Sequence, residues 1–134
     1  MILYLDATAL IKLYVAEPGS GPLRQAVKNA AAVYSVDLNY LEVRAAFAEA
    51  ARLGLLTDKA AQKARKDFEA DWQAINVIVP DQGLLRLAGD LAEKHALGAK
   101  AGLNLAALQK ISDQIGAGNI QFIGETNSVA RISK

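Results

Sequence analysis

Met1-Ile2-Leu3-Tyr4-Leu5-Asp6-Ala7-Thr8-Ala9-Leu10 is the stretch that decides the fold. Four apolar side chains run from Ile2 to Leu5, a carboxylate follows, and small and apolar residues then recur at helical spacing. A short unbroken apolar run reads as a strand buried on both faces, which is the habit of parallel sheets. Asp6 falls where that strand ends and a helix begins, from Ala7 or Thr8 to about Val15. In open α/β sheets, ligands bind beyond the carboxyl ends of the strands. Asp6 is therefore either the N-cap of the next helix or a ligand for something held at that edge.

The rest of the chain repeats the pattern. Glu17-Pro18-Gly19-Ser20-Gly21-Pro22 is turn chemistry, and Ser20 is placed to cap a helix over Leu23–Ala30. Ala31–Val36 reads as a second strand. A long helix over Leu38–Leu53 follows, with Leu41, Ala45, Ala48 and Ala51 on one face, Phe47 flanking it, and Gly54 as its stop. Thr57 opens a charged helix that ends near Ala74. Ile75–Val79 is β-branched, bounded by Pro80, and reads as a third strand. Helices over Asp81–Leu97, with Leu84, Leu87, Ala88 and Leu91 inward, and over Lys100–Ile115 lead to a fourth strand, Ile120–Ile123, and a last helix over Thr126–Ile132. Strands separated by helices argue for a parallel sheet covered on both faces, with the first and most apolar strand near its centre. The two helices between the second and third strands predict a small helical protrusion.

Composition narrows the function classes. At 134 residues and 52% apolar, the chain is a single domain, 1–134, with enough apolar content for one good core. Its apolar runs are far shorter than the ~20 residues of a membrane span, so no membrane partner is expected. No basic region precedes the first apolar stretch, which speaks against a secretory leader. The absence of cysteine excludes disulfides and thiolate metal sites and fits a cytoplasmic setting. A net charge of +1 gives no global attraction to nucleic acid, so any such contact must be local. Lys59, Lys63 and Lys66 are interspersed with Asp58, Asp67 and Glu69, the pattern of a solvated face. His95 sits near a helix end, where it can meet terminal carbonyls, and Trp72 reads as a core or interface anchor.

The opening residues through Ser20, the pair Tyr34-Ser35 with Tyr40-Leu41-Glu42-Val43-Arg44-Ala45-Ala46, and Leu84–Ala88 through His95-Ala96-Leu97 resemble PIN-domain proteins of the VapC toxin type. The resemblance covers nearly the whole chain. It implies a PIN-like three-layer α/β/α fold with a parallel sheet of four to five strands. It also implies a Mg²⁺- or Mn²⁺-dependent endoribonuclease, a toxin neutralised by a cognate antitoxin, and a homodimer.

That chemistry needs several carboxylates in one place. Mg²⁺ and Mn²⁺ take oxygen ligands, and a bound ion generates hydroxide and stabilises the leaving oxygen of a phosphodiester. Asp6 matches the family's first acid and Glu42 its second, although an acid in a first helical turn also suits the helix dipole. The chain then departs from the pattern. Where the family runs Tyr-Asp-Ala-Leu-His-Leu-Ala-Ala, this sequence has Lys100-Ala101-Gly102-Leu103-Asn104-Leu105-Ala106-Ala107, which puts Ala101 at the third acid. Thr126 aligns with the fourth, and Glu125 stands one residue early as a substitute ligand. Asp113, twelve residues beyond Ala101, is about 18 Å along the same helix and cannot stand in. The expectation is a degenerate PIN domain with weakened or lost metal-dependent cleavage; the alternative is a non-catalytic module that binds an antitoxin-like partner, a second protomer or RNA. Lys12 and Arg44 lie close in sequence to the two acids and are candidates for phosphate contact or for pairing with them, while Lys100 is a second candidate for neutralising a metal-free edge.

Overall fold

The computed structural model describes residues 1–124. Its elements are β1 (Ile2–Leu5), α1 (Ala7–Lys12), α2 (Ser20–Asn29), β2 (Ala32–Val36), α3 (Asp37–Arg52), α4 (Asp58–Trp72), β3 (Asn76–Ile78), α5 (Gln82–His95), α6 (Ala99–Ile115) and β4 (Ile120–Ile123), with a 3-10 turn at Ala117–Asn119 before the last strand. The expected helix over Thr126–Ile132 lies outside the described residues. No described helix is long and apolar enough to cross a membrane.

The sheet is parallel throughout, in the order β3-β2-β1-β4. Strand β1 is interior, with Ile2 opposite both Ala32 and Ile120 and Tyr4 opposite both Tyr34 and Phe122. Because side chains alternate along a strand, β1 feeds two cores. Leu3 and Leu5 face α1, α2, α3 and α4 through Leu10, Leu23, Val43, Phe47 and Phe68. Tyr4 faces the other way, onto α5 and α6 through Leu84, Leu91, Leu105 and Leu108. The result is the three-layer α/β/α arrangement of a PIN-like fold. Each fully buried leucine of β1 contributes roughly 1.5–3 kcal/mol.

Helix termini follow local chemistry. Asp6 caps α1, Thr57 caps α4 and Asp81 caps α5, each accepting from the backbone N–H three residues on, at 3.0, 3.0 and 2.7 Å. Gly54 takes a positive φ of 74° just past α3, as a C-terminal stop requires. Other expectations are corrected. Helix α1 stops at Lys12 rather than near Val15. Ser20 lies within the first turn of α2, where Gly19 is the N-cap. The Ser20 hydroxyl instead accepts from the Glu17 N–H at 2.9 Å, closing the preceding turn. On α3 the inward residues are Asn39, Val43 and Phe47, while Leu41 is 62% exposed. An alanine-rich helix offers little contrast between its faces, so packing against α1, α4 and α6 decides which is covered.

Candidate functional site

Four segments meet at the carboxyl edge of the sheet: the end of β1, the first turns of α3, the first turn of α6 and the end of β4. Asp6 is 5% exposed. Its backbone N–H donates to Ile123 O at 3.3 Å, which ties it to β4, and its Oδ1 accepts from Ala9 N at 3.0 Å. Gly124 lies flat against the carboxylate: a Cβ there would come within 2.3 Å of Asp6 Oδ2. The two readings of Asp6 are therefore not exclusive, since one oxygen caps α1 at the very edge where ligands bind.

Beneath this edge lies a buried polar quartet that pattern reading did not single out. Asn104 Oδ1 accepts from the Tyr4 hydroxyl at 2.8 Å and from Asn39 Nδ2 at 2.9 Å. Asn39 Nδ2 also donates to Ser35 Oγ at 2.8 Å, and the Ser35 hydroxyl donates to Leu5 O at 2.7 Å. Asn104 Nδ2 closes the set by donating to Lys100 O at 2.9 Å. The network joins β1, β2, α3 and α6 through side chains that are all but completely buried. Burial pushes the Tyr4 phenol far above the usual tyrosine range, the nearby Asp6 charge adding to the effect against hydrogen bonds that oppose it. A sequence signal did exist: Asn104 interrupts the apolar run Leu103–Leu108, and Asn39 shares the stripe of Val43 and Phe47. Buried polar groups of this kind must be hydrogen-bonded.

Glu42 is on the rim above the quartet, three residues after Asn39 and so on the same side of α3. Its Oε2 is 3.5 Å from Lys100 Nζ. Arg44, by contrast, pairs with Glu69 of α4 at 3.2 Å and donates to the Tyr40 hydroxyl at 2.7 Å, with its guanidinium 5.7 Å from the Tyr40 ring centre. Its ion pair thus ties α3 to α4 and is made with Glu69, not Glu42. Lys12 ends α1 and lines a small cavity of about 100 Å³ with Thr8, Gly19, Leu23 and Gly124. Lys63 pairs with Asp67 at 2.6 Å in solvent, and Trp72 packs against Tyr40 and Phe68.

Ala101 is partly buried and packs against the α5–α6 core. Glu125 and Thr126 lie outside the described residues. Among the described residues no three acidic, histidine or cysteine side chains are grouped to hold a metal ion. One Asp6 oxygen is engaged by a helix terminus, Glu42 faces an ammonium, and Ala101 offers only a methyl group. The described residues thus offer Mg²⁺ or Mn²⁺ at most two carboxylates here, both already engaged, so an ion would keep most of its coordination as water.

No protein-family model matches the sequence. Two curated relatives, Ribonuclease VapC45 and Ribonuclease VapC49 of Mycobacterium tuberculosis strains, are each 35% identical over 112 residues, which cover 84% of this chain and 78% of the relative. The chain belongs to the VapC ribonuclease family. Solved structures agree on the fold. PAE2754 from Pyrobaculum aerophilum superimposes with a TM-score of 0.65 at 17% identity, covering 96% of this chain and 77% of that one. M. tuberculosis VapC20, described as a Sarcin-Ricin loop cleaving toxin, does so with a TM-score of 0.63 at 13% identity, covering 82% and 83%. Within the VapC family, then, this chain has Asp6 directly after β1, Glu42 in the first turns of α3 and Ala101 in the first turn of α6.

Proposed function

We propose that this chain is an RNA-directed, VapC-type domain of the endoribonuclease class in which metal-dependent cleavage is attenuated. The class is supported by the activity named for its 35%-identical relatives and by the two acids at the carboxyl edge. The observation that carries the attenuation is the first turn of α6, where Ala101 supplies no carboxylate and Lys100 Nζ stands 3.5 Å from Glu42 Oε2. Fewer anionic ligands leave a divalent ion largely hydrated and weakly held. Asp6, Glu42 and Glu125 are the candidate ligands for Mg²⁺ or Mn²⁺, and Lys12 is a candidate phosphate contact. As in other toxins of this type, the natural partner is an antitoxin protein in the same cytoplasm. A homodimer is in keeping with the apolar side chains left in solvent, among them Leu41, Leu53 and Leu55.

The test is cleavage of a structured RNA with Mg²⁺ or Mn²⁺. Slow cleavage that EDTA and Asp6→Asn abolish, and that Ala101→Asp raises by tenfold or more, is the expected result. Cleavage indifferent to both EDTA and Asp6→Asn overturns the assignment, and cleavage that Ala101→Asp leaves unchanged overturns the attenuation. A second reading, a non-catalytic module for an antitoxin-like protein, a second copy or RNA, is favoured by the same missing carboxylate. It is the conclusion if neither wild type nor Ala101→Asp cuts RNA.

A further inference from the structure

Helices α3 and α6 face each other across two rungs. The inner rung is buried: Asn39 Nδ2 donates to Asn104 Oδ1 at 2.9 Å. The outer rung is at the rim: Lys100 Nζ lies 3.5 Å from Glu42 Oε2. The spacings match, because Glu42 follows Asn39 by three residues and Asn104 follows Lys100 by four, so each pair shares one side of its helix. The inner rung also reaches the outer one directly, since Asn104 Nδ2 holds the Lys100 carbonyl at 2.9 Å.

Lys100 is in an electrostatically awkward place. The N-terminal turn of a helix is its positive end and favours acids, yet the first turn of α6 has no acidic residue and bears this ammonium. Glu42 is the carboxylate that offsets both the helix terminus and the lysine. In exchange, the acid at the second position of the metal pattern has a cation of its own.

We propose that Lys100 is the built-in counter-cation of this edge: its ammonium occupies the electrostatic role that a divalent ion would otherwise fill at Glu42, so that this carboxylate is neutralised without metal. This rests on reading Asp6 and Glu42 as the family's acid edge. A half-exposed ion pair adds little to stability, so the consequence is competition: a divalent ion approaching Glu42 meets a like charge already placed beside it.

The test is Mn²⁺ titration, by calorimetry and by Mn²⁺-dependent shift in melting temperature, of the full chain, Lys100→Met, Glu42→Gln and Lys100→Met/Glu42→Gln. Methionine keeps the aliphatic stem and removes only the charge, and Lys100 is solvent-facing, so this variant folds; unchanged circular dichroism verifies it. The expected result is that wild type binds Mn²⁺ weakly, Lys100→Met tightens it by tenfold or more, and Glu42→Gln cancels that gain. Equal Mn²⁺ affinity in wild type and Lys100→Met overturns the proposal, as does a gain that survives Glu42→Gln. The ribonuclease reading fails separately, through RNA cleavage that ignores EDTA and Asp6→Asn, and that outcome leaves these affinities as measured.

Discussion

Asn104 is the residue on which most of the edge depends. Its amide serves Tyr4, Asn39 and the Lys100 carbonyl at once. Asn104→Ala removes one acceptor used twice and strands a phenol and an amide in a dry interior. Unmade buried hydrogen bonds of this kind cost about 1–3 kcal/mol each, so the variant is expected to lose about 3 kcal/mol in urea unfolding, a large part of a small domain's stability. A loss below about 1 kcal/mol would mean that water enters and replaces the amide. Asn39 contributes less than it might, for its Oδ1 is the one buried side-chain polar atom among the described residues with no hydrogen-bond partner. At this scale the sequence was legible where chemistry is local. A carboxylate directly after a four-residue apolar run announces both a cap and an edge, and Asp6 is at that edge as a cap. Asn39 and Asn104 are 65 residues apart, and only the fold brings them together. Arg44 shows the converse: proximity to Glu42 in sequence suggested a partner, but two residues along a helix point to different sides, and Arg44 reached Glu69.

Among the elements, α5 and α6 make the most extensive helix pair, and one glycine sets their spacing. A Cβ at Gly102 would lie 2.9 Å from Ala88 O and 3.2 Å from the Ala92 Cβ. The first of these contacts is with backbone and cannot be relieved by a rotamer change. Gly102→Ala gains helix propensity of up to about 1 kcal/mol but must push the helices apart, and overpacking costs about 1–3 kcal/mol. A net loss of about 1 kcal/mol in melting experiments is expected, with the α6 first turn displaced from Glu42. No loss would mean that α5 slides without penalty. Strand and helix order read well from sequence because apolar period and turn residues are local signals. The inward side of α3 did not, since alanine at 45, 48 and 51 marks no preference, and the larger Leu41 was left in solvent while Asn39 went inside.

For the molecule as a whole, one buried and one half-buried phenol, Tyr4 and Tyr14, tie stability to alkaline pH. Burial raises the pKa of Tyr4, and burial together with the Asp71 carboxylate raises that of Tyr14, whose hydroxyl donates to Asp71 at 2.9 Å. Both pKa values are higher in the folded state than in the unfolded one, where a tyrosine ionises near pH 10. Their contribution is complete below that pH. It is lost as pH rises above it, because the unfolded chain then releases protons that the native state retains. The melting temperature is expected to fall above about pH 10, and to fall less steeply in Tyr4→Phe; an identical slope in the variant would mean that Tyr4 ionises freely in the fold. The general architecture was the most legible level of all, since alternating strands and helices leave few topologies open. The central place of β1 followed from its unbroken apolar run, and the order of its neighbours from the fold alone.

The position of β1 has a further consequence during synthesis. Its register joins Ile2 to Ala32 on one side and to Ile120 on the other. On a ribosome adding about 5–20 residues per second, the first strand emerges and gains its β2 neighbour early, then waits on the order of ten seconds for β4. Until then Asp6 has neither the Ile123 carbonyl nor Gly124 beside it, and Asn104 joins Tyr4 only late. The edge therefore cannot be completed until β4 has been made.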